Sequence, residues 1–571
     1  MNPPSDTRRS SARDWYRARP AEFWLLFLSV GLVAFYGVVY PNAGLVLESF
    51  RLNESWSVDA YAQTLGQPAT QRAVAFSLVL SISTVVGCAL VGVPLALLLD
   101  RVDVPGRRFV GAIVASPMLL PPLVGTIAFI FLFSESGIVT RAIVRSFDLT
   151  ASPYRLRGFW AVLLFHVYTI YPYFFVFVGS ALARTDPALE EAARTLGASR
   201  WTRFRRVILP AISGALASAA ILTFMTSMAS FSAPYLFGGD SRVLTQLIYD
   251  AKINNERGLA VVMTVILAML SAVALIVFAR AETRVPVGAG SKGVTRRRVA
   301  LTTPAARGAA IAACAVVSVI LLMPHATIAL LSIAKIGSWT TQVLPPEYTF
   351  ANYSKIFSGP RFLDPVRNSA VMAAVSAFAA LAFGIASAYL LTRYRFRARW
   401  VMTVLLLVPW SLPGTVLAFQ VVEAFTQPSF LTAGQTLAGS FWLLPAIYFL
   451  RNMPLVMRAA QVNLQQLDVT LESAARSLGA SWITTMRRVV LPLIAPGAIA
   501  GALLAFALGL GEFVASIVAY VLSNRPISIQ IEQSMRQGDL GTAAAYGTIL
   551  VLAVGAALAW MPATSRHSGQ S

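Results

Sequence analysis

Apolar residues in this chain come in long blocks rather than in alternation. Twelve stretches stand out: 23–47, 74–99, 109–133, 159–182, 208–233, 258–279, 309–334, 368–391, 400–425, 440–457, 490–517 and 545–563. A helix needs about 20 apolar residues to cross a bilayer, because lipid offers its backbone no partner outside the helix. Each block therefore predicts one crossing, and the weakest is 440–457, which contains Arg451. The pattern predicts an all-α integral membrane protein with twelve transmembrane helices. The first block is a full span and follows an arginine-rich start, which fits an uncleaved helix better than a short signal sequence.

Between the sixth and seventh blocks lies a Gly-, Ser- and Arg-rich segment ending in Arg296-Arg297-Arg298, the composition of a solvated linker. The chain divides into a tail (1–22), a six-span half (23–284), a linker (285–307), a second six-span half (308–563) and a second tail (564–571). The halves repeat one another. Residues 189–210 read LEEAARTLGASRWTRFRRVILP and residues 471–492 read LESAARSLGASWITTMRRVVLP, fifteen of twenty-two being identical at an offset of 282. The same offset pairs Pro172 with Pro454, Phe224 with Phe506 and Phe231 with Phe513, and a PxxLP pattern recurs as Pro117–Pro121 and Pro409–Pro413. An even number of spans per half gives both halves the same orientation, so a pseudo-two-fold axis should run along the membrane normal.

Composition agrees with the blocks: 57% of residues are hydrophobic and only 12% charged. The net charge of +21 raises nucleic acid as a partner. With the N-terminus inside, however, cytoplasmic segments carry roughly twice as many Lys and Arg as outer loops, the bias that sets membrane orientation. The basic balance is a topology signal, both termini are expected in the cytoplasm, and nucleic-acid binding is excluded. Two cysteines and three scattered histidines offer neither a disulfide framework nor a metal site, and no catalytic constellation is legible.

In the first repeat copy, Ala192, Ala193 and Leu196 give one side of a short helix a compact apolar surface, with Glu190, Glu191 and Arg194 turned to water or to a polar partner. Gly197 suits the reversal that follows, since glycine takes a positive φ without strain. A second short helix is expected from about Ser199 to Pro210. Each copy predicts a cytoplasmic helix-turn-helix knob, and two near-identical knobs suit a partner that docks symmetrically.

These residues resemble a known motif. Glu191-Ala192-Ala193, Gly197 and Val207-Ile208-Leu209-Pro210, repeated with Ser473-Ala474-Ala475, Gly479 and Val489-Val490-Leu491-Pro492, are similar to the EAA motif of permease subunits of binding-protein-dependent ABC importers. The resemblance implies a type I importer permease fold in two pseudo-symmetric halves, in the inner membrane. It implies that Glu190, Glu191, Ala192, Ala193 and Gly197, with Glu472, Ser473, Ala474, Ala475 and Gly479, couple to two copies of a cytoplasmic ATP-binding subunit. It also implies a solute-binding protein outside, with ATP and Mg held by the ATPase and no cofactor on this chain. Ser473 departs from the motif's glutamate, Glu472 standing one residue early, so the two docking sites should be unequal. None of the four lysines follows a glycine as a phosphate-binding loop requires. The fused layout and Phe231–Gly239 resemble ferric iron permeases most, with thiamine, sulfate, polyamine and phosphonate permeases as relatives.

Ionisable residues inside a span need a partner or a wet cavity. Glu512, aligned with Ser230, and Arg451, aligned with Thr169, are the candidates. Either they line a central path with Ser230, Phe231 and Phe513, or Glu512 and Arg451 pair as a structural unit. Glu423 is expected to reach solvent at its helix end, and His166 to pack. A secondary transporter would favour inverted repeats and clustered acids, which parallel halves and sparse carboxylates oppose.

Overall fold

The computed structural model describes residues 20–52, 55–283, 303–335, 337, 342–426, 428 and 434–560. Most of both tails and of the linker, including Arg296–Arg298, lies outside these residues. The first half runs α1 (Ala21–Ser49), α2 (Asp59–Gly66), α3 (Pro68–Arg101), α4 (Arg107–Ala115), α5 (Pro122–Phe133), α6 (Ile138–Ser146), α7 (Phe159–Leu182), α8 (Pro187–Thr195), α9 (Arg200–Met228), α10 (Ser232–Phe237), α11 (Leu244–Ile253) and α12 (Arg257–Thr283). The second runs α13 (Pro304–Ser332), α14 (Ala351–Phe357), α15 (Pro360–Arg393), α16 (Arg399–Ser411), α17 (Gly414–Ala424), α18 (Leu443–Gln466), α19 (Val469–Ser477), α20 (Trp482–Leu510), α21 (Val514–Ala519), α22 (Ile527–Arg536) and α23 (Leu540–Ala559). A two-residue hairpin, Arg51–Leu52 with Ser55–Trp56, follows α1.

Among the described residues, ten helices are long and apolar enough to cross a membrane, or eleven if α16 and α17 form one bent span. The expected twelve is thus met only in part. Helix α18 has the length, at 24 residues, but carries Arg451 and Arg458 and falls short in hydropathy. The stretch 109–133 is not one helix. A short 3-10 turn at Ser116–Leu119 separates α4 from α5, and α16 meets α17 at 110° across Leu412-Pro413. Proline supplies no backbone donor and its ring crowds the preceding turn, so Pro117, Pro121 and Pro122 in one half and Pro413 in the other break the helix at matched places.

The repeat is exact in length where the helices are longest. Helices α3 and α15 are each 34 residues, open on proline and end on arginine. The halves are interlocked. Phe23 of α1 lies edge-on to Tyr394 and Phe396 beyond α15, at centroid distances of 5.2 and 5.9 Å. In return Tyr168 of α7 donates to the Leu321 carbonyl of α13 at 2.7 Å. The first helix of each half therefore leans on the other half, and one buried core holds residues from both. Large apolar side chains such as Leu28, Leu90, Phe378 and Leu552 stand exposed on the outside of the bundle, the surface lipid would cover.

Candidate functional site

Each knob is built the same way. Asp186 and Asp468 cap α8 and α19, accepting from the amides of Ala188 and Thr470 at 2.9 Å. The Thr470 bond holds the Asp468 carboxyl below its ordinary value. The chain then reverses at Gly197 and Gly479, whose φ values of +79° and +82° are those only glycine takes freely. Ser199 and Ser481 cap the next helix, accepting from Thr202 and Thr484.

That helix does not stop at Pro210, as the sequence suggested. It passes through a π turn at Phe204–Ile208 and continues to Met228, and its counterpart does the same at Met486–Val490. Pro210 and Pro492 sit just past these turns. The missing N–H relaxes the α ladder, and the wider turn keeps the helix continuous. Each knob is thereby one piece with a spanning helix.

The knobs expose an apolar crest at matched positions. Leu196 is 87% and Leu478 88% exposed, flanked by Leu189 and Leu471 and by Trp201 and Ile483. Glu191, Ala192, Ser473 and Ala474 are also exposed, with Ala193 and Ala475 half-buried beside them. Glu190 and Glu472 do not face outwards. Glu190 bonds to Arg101 at the end of α3 at 3.1 Å, and Glu472 to Arg393 at the end of α15 at 2.7 Å and to the Tyr389 hydroxyl at 2.9 Å. Each brace fixes its knob to the longest helix of its half. This also accounts for the displaced glutamate of the second copy: the matched, arginine-braced position is kept, and the exposed one is Glu191 here and Ser473 there.

Along the axis, Phe231 and Phe513 meet across the halves with ring centroids 5.9 Å apart, both buried. Beside Phe513, Arg451 Nε lies 3.1 Å from Glu512 Oε2, the Glu512 side chain being 10% exposed. Glu512 also accepts from the Ala515 amide at 2.9 Å, while Arg451 Nη1 is buried without a partner. Beside Phe231 the same place holds no charge: His166 bonds to Ser230 at 2.8 Å and Ser227 at 3.1 Å. The backbone frame is common to both, since the Ser230 carbonyl accepts from Thr245 and that of Glu512 from Ser528. Glu512 and Arg451 thus stand at ion-pair distance, and both His166 ring nitrogens have hydrogen-bond partners.

Glu423 is half-buried, with 20% of its side chain exposed, and ion-paired. It pairs with Arg257 at the start of α12, next to Lys252, whose ammonium burial pulls down to about 8 against the pull of Glu423. Sequence reading also missed a cross-half cluster of Tyr235 and Tyr249 with Glu532 and Arg536. Its acid sits on α22, outside every predicted span, so hydropathy treated it as loop. The signal was a carboxylate alternating with isoleucines in Ile527–Arg536. Burial pushes the Glu532 carboxyl up to about 7, and Arg536 forms an ion pair with it. No group of three His, Cys, Asp or Glu side chains that could hold a metal exists among the described residues.

A duplicated, interlocked helical bundle with two matched knobs defines a membrane transport subunit rather than an enzyme. The chain belongs to the family of inner membrane components of binding-protein-dependent transport systems, which it matches twice, over residues 64–286 and 380–563. It is 29% identical over 525 residues to the "Probable ABC transporter permease protein y4fN" of Sinorhizobium fredii, covering 91% of this chain and 92% of that one. It is 26% identical over 538 residues to the ferric transport system permease protein FbpB of Actinobacillus pleuropneumoniae, covering 92% and 76%. It is 30% identical over 219 residues to the sulfate transport system permease protein CysT of Salmonella typhimurium, covering 36% and 78%. The chain is thus a multi-pass ABC importer permease of the inner membrane, and membership implies an ATPase and a solute-binding protein as partners.

Proposed function

We propose that this chain is the whole twelve-span translocation unit of an importer for ferric iron, with α18 and the bent α16–α17 pair each completing a crossing. Both termini and both knobs lie in the cytoplasm, and one ATPase copy grips each knob. ATP-driven approach of the two ATPases draws the knobs together, the continuous α9 and α20 carry the motion, and the path opens at the far face, where a docked binding protein releases its solute. Ser230, Phe231, Arg451, Glu512 and Phe513 lie on that path. The observation that carries the coupling is the matched crest of Leu196 and Leu478 on glycine turns. Exposed leucines of this kind mark a docking surface.

Iron rests on the near full-length likeness to the ferric permease, whereas the sulfate permease matches about a third of the chain. Coupling and cargo are tested together by reconstituting the chain with its ATPase and binding protein. Leu196→Asp with Leu478→Asp should abolish ATPase capture and uptake while leaving membrane insertion intact. Normal capture by the double variant would overturn the docking role, and sulfate uptake in place of iron would overturn the cargo.

A further inference from the structure

The axis between the halves carries a second layer, on the side of Phe231 and Phe513 away from the knobs. Direction along the chain establishes this: α7 and α9 meet the knob at one end, and the loops beyond Phe237 close on Gly158 at the other. Tyr235 and Tyr249 both stand on Phe231, with ring centroids 5.0 and 5.3 Å from it, and lie edge to face with each other at 6.2 Å. From the second half comes Glu532, whose Oε1 accepts from the Tyr235 hydroxyl at 3.3 Å. Tyr249 and Glu532 occupy corresponding places on α11 and α22, one residue beyond the offset of the knobs, so the axis passes between a phenol and a carboxylate. Arg536 closes the group: its guanidinium donates to Glu532 and to the Tyr235 hydroxyl and lies 5.6 Å from the Tyr235 ring centroid. The Glu532 side chain is 8% exposed and that of Arg536 is 58%. An exposed cation therefore caps a buried carboxylate beside two half-buried phenols.

We propose that Glu532, Tyr235 and Tyr249 are a transit site for a hard, oxygen-seeking metal cation at the outer end of the path, with the Arg536 guanidinium holding the cation's place while the path is closed. The inference rests on the importer reading and names its substrate class from this chain's own chemistry. Carboxylate and phenol oxygens suit small, highly charged cations and disfavour soft ones. A single carboxylate with two neutral phenols binds weakly, as a passage must. Arg536 is the most exposed member, so an arriving cation displaces it, and the phenols meet the metal through neutral hydroxyl oxygens. The cross-half contacts from Tyr235 to Glu532 and Arg536 break in the same event, which links cargo arrival to separation of the halves.

The test uses the purified full-length chain and Tb(III), a hard trivalent ion whose luminescence is sensitised by a nearby tyrosine. Tyrosine-excited emission should appear, be competed by Ga(III), and weaken about 10- to 100-fold in Glu532→Gln and to a smaller degree in Tyr249→Phe. Arg536→Gln should instead tighten binding about tenfold or more, a gain that no merely structural ion pair predicts. Unchanged emission in both Glu532→Gln and Arg536→Gln overturns the site, as does Arg536-dependent binding of radiolabelled sulfate in place of Tb(III). If Glu532→Gln fails to fold, Tyr249→Phe and Arg536→Gln decide. Reconstituted ATP-driven uptake that leaves ferric iron outside, with these Tb(III) responses intact, would sink the ferric cargo and leave the site standing.

Discussion

In the knobs the two halves use the same parts: an aspartate cap, a positive-φ glycine, a serine cap, a π turn and a leucine crest. Deeper in the bundle, on the same backbone frame, His166 and its serines in one half face Arg451 and Glu512 in the other. Two surfaces that each meet the same partner are held alike. Two walls of a single path meet one cargo between them, and nothing requires the walls to match. Divergence at the axis is therefore what a path predicts, and identity at the knobs is what a paired motor predicts.

The charged wall is where this contrast breaks most easily. Arg451→Met leaves Glu512 buried with only a backbone amide, a defect that costs about 3–5 kcal/mol when a buried pair loses one member. Thermal unfolding in detergent should fall sharply for Arg451→Met and recover in the double variant with Glu512→Gln. The aligned first-half change, Thr169→Met, should cost less than about 1 kcal/mol, because no charge is stranded there. Equal losses at the two positions would erase the asymmetry.

The braces offer a finer break. Glu472 is 7% exposed and bonded to both Arg393 and Tyr389, whereas Glu190 is 17% exposed against an Arg101 that is itself a third exposed. Glu472→Ala should therefore cost about 2–4 kcal/mol and Glu190→Ala about 1 kcal/mol. ATPase capture should weaken more for the second knob than for the first. Equal weakening would mean that the braces play no part in presenting the crests.

How much of this was legible follows from what a linear pattern encodes. The knobs were legible because their short helices and glycine turn are local, each set by residues within about a dozen positions. The broken crossings at Pro117–Pro121 and Pro409–Pro413 were visible as motifs but not as breaks, since hydropathy averages over a proline. The interlocking of α1 with the second half was not legible, because an apolar face does not specify which apolar face it will cover. Glu190 could be read only as facing water or an unnamed polar partner, and the braces of both Glu190 and Glu472 stayed hidden, because their arginines lie about eighty to ninety residues earlier. Glu532 was passed over because its helix is too short and too polar to count as a span.

The smallest effect concerns that residue and its sign. Burial raises Glu532 from 4.5 to about 7, so the folded chain keeps this proton where the unfolded chain has released it. The stabilisation is fully present below about pH 4.5 and is lost as pH rises through 7. Tyr235 donates to the group and Arg536 pairs with it, so the slope belongs to the Glu532 carboxyl in contact with that cation. After solvent screening at so open a cap, the loss between pH 5 and 7.5 should be no more than about 1 kcal/mol. Tyr249, the matching residue of the first half, carries no such slope. Unfolding temperature measured across that range should decline slightly for the native chain and lose this component in Glu532→Gln. In Arg536→Gln, with the paired cation gone, the decline should steepen. A native chain as flat as Glu532→Gln would show that the carboxylate stays ionised throughout and that Arg536 dominates the layer.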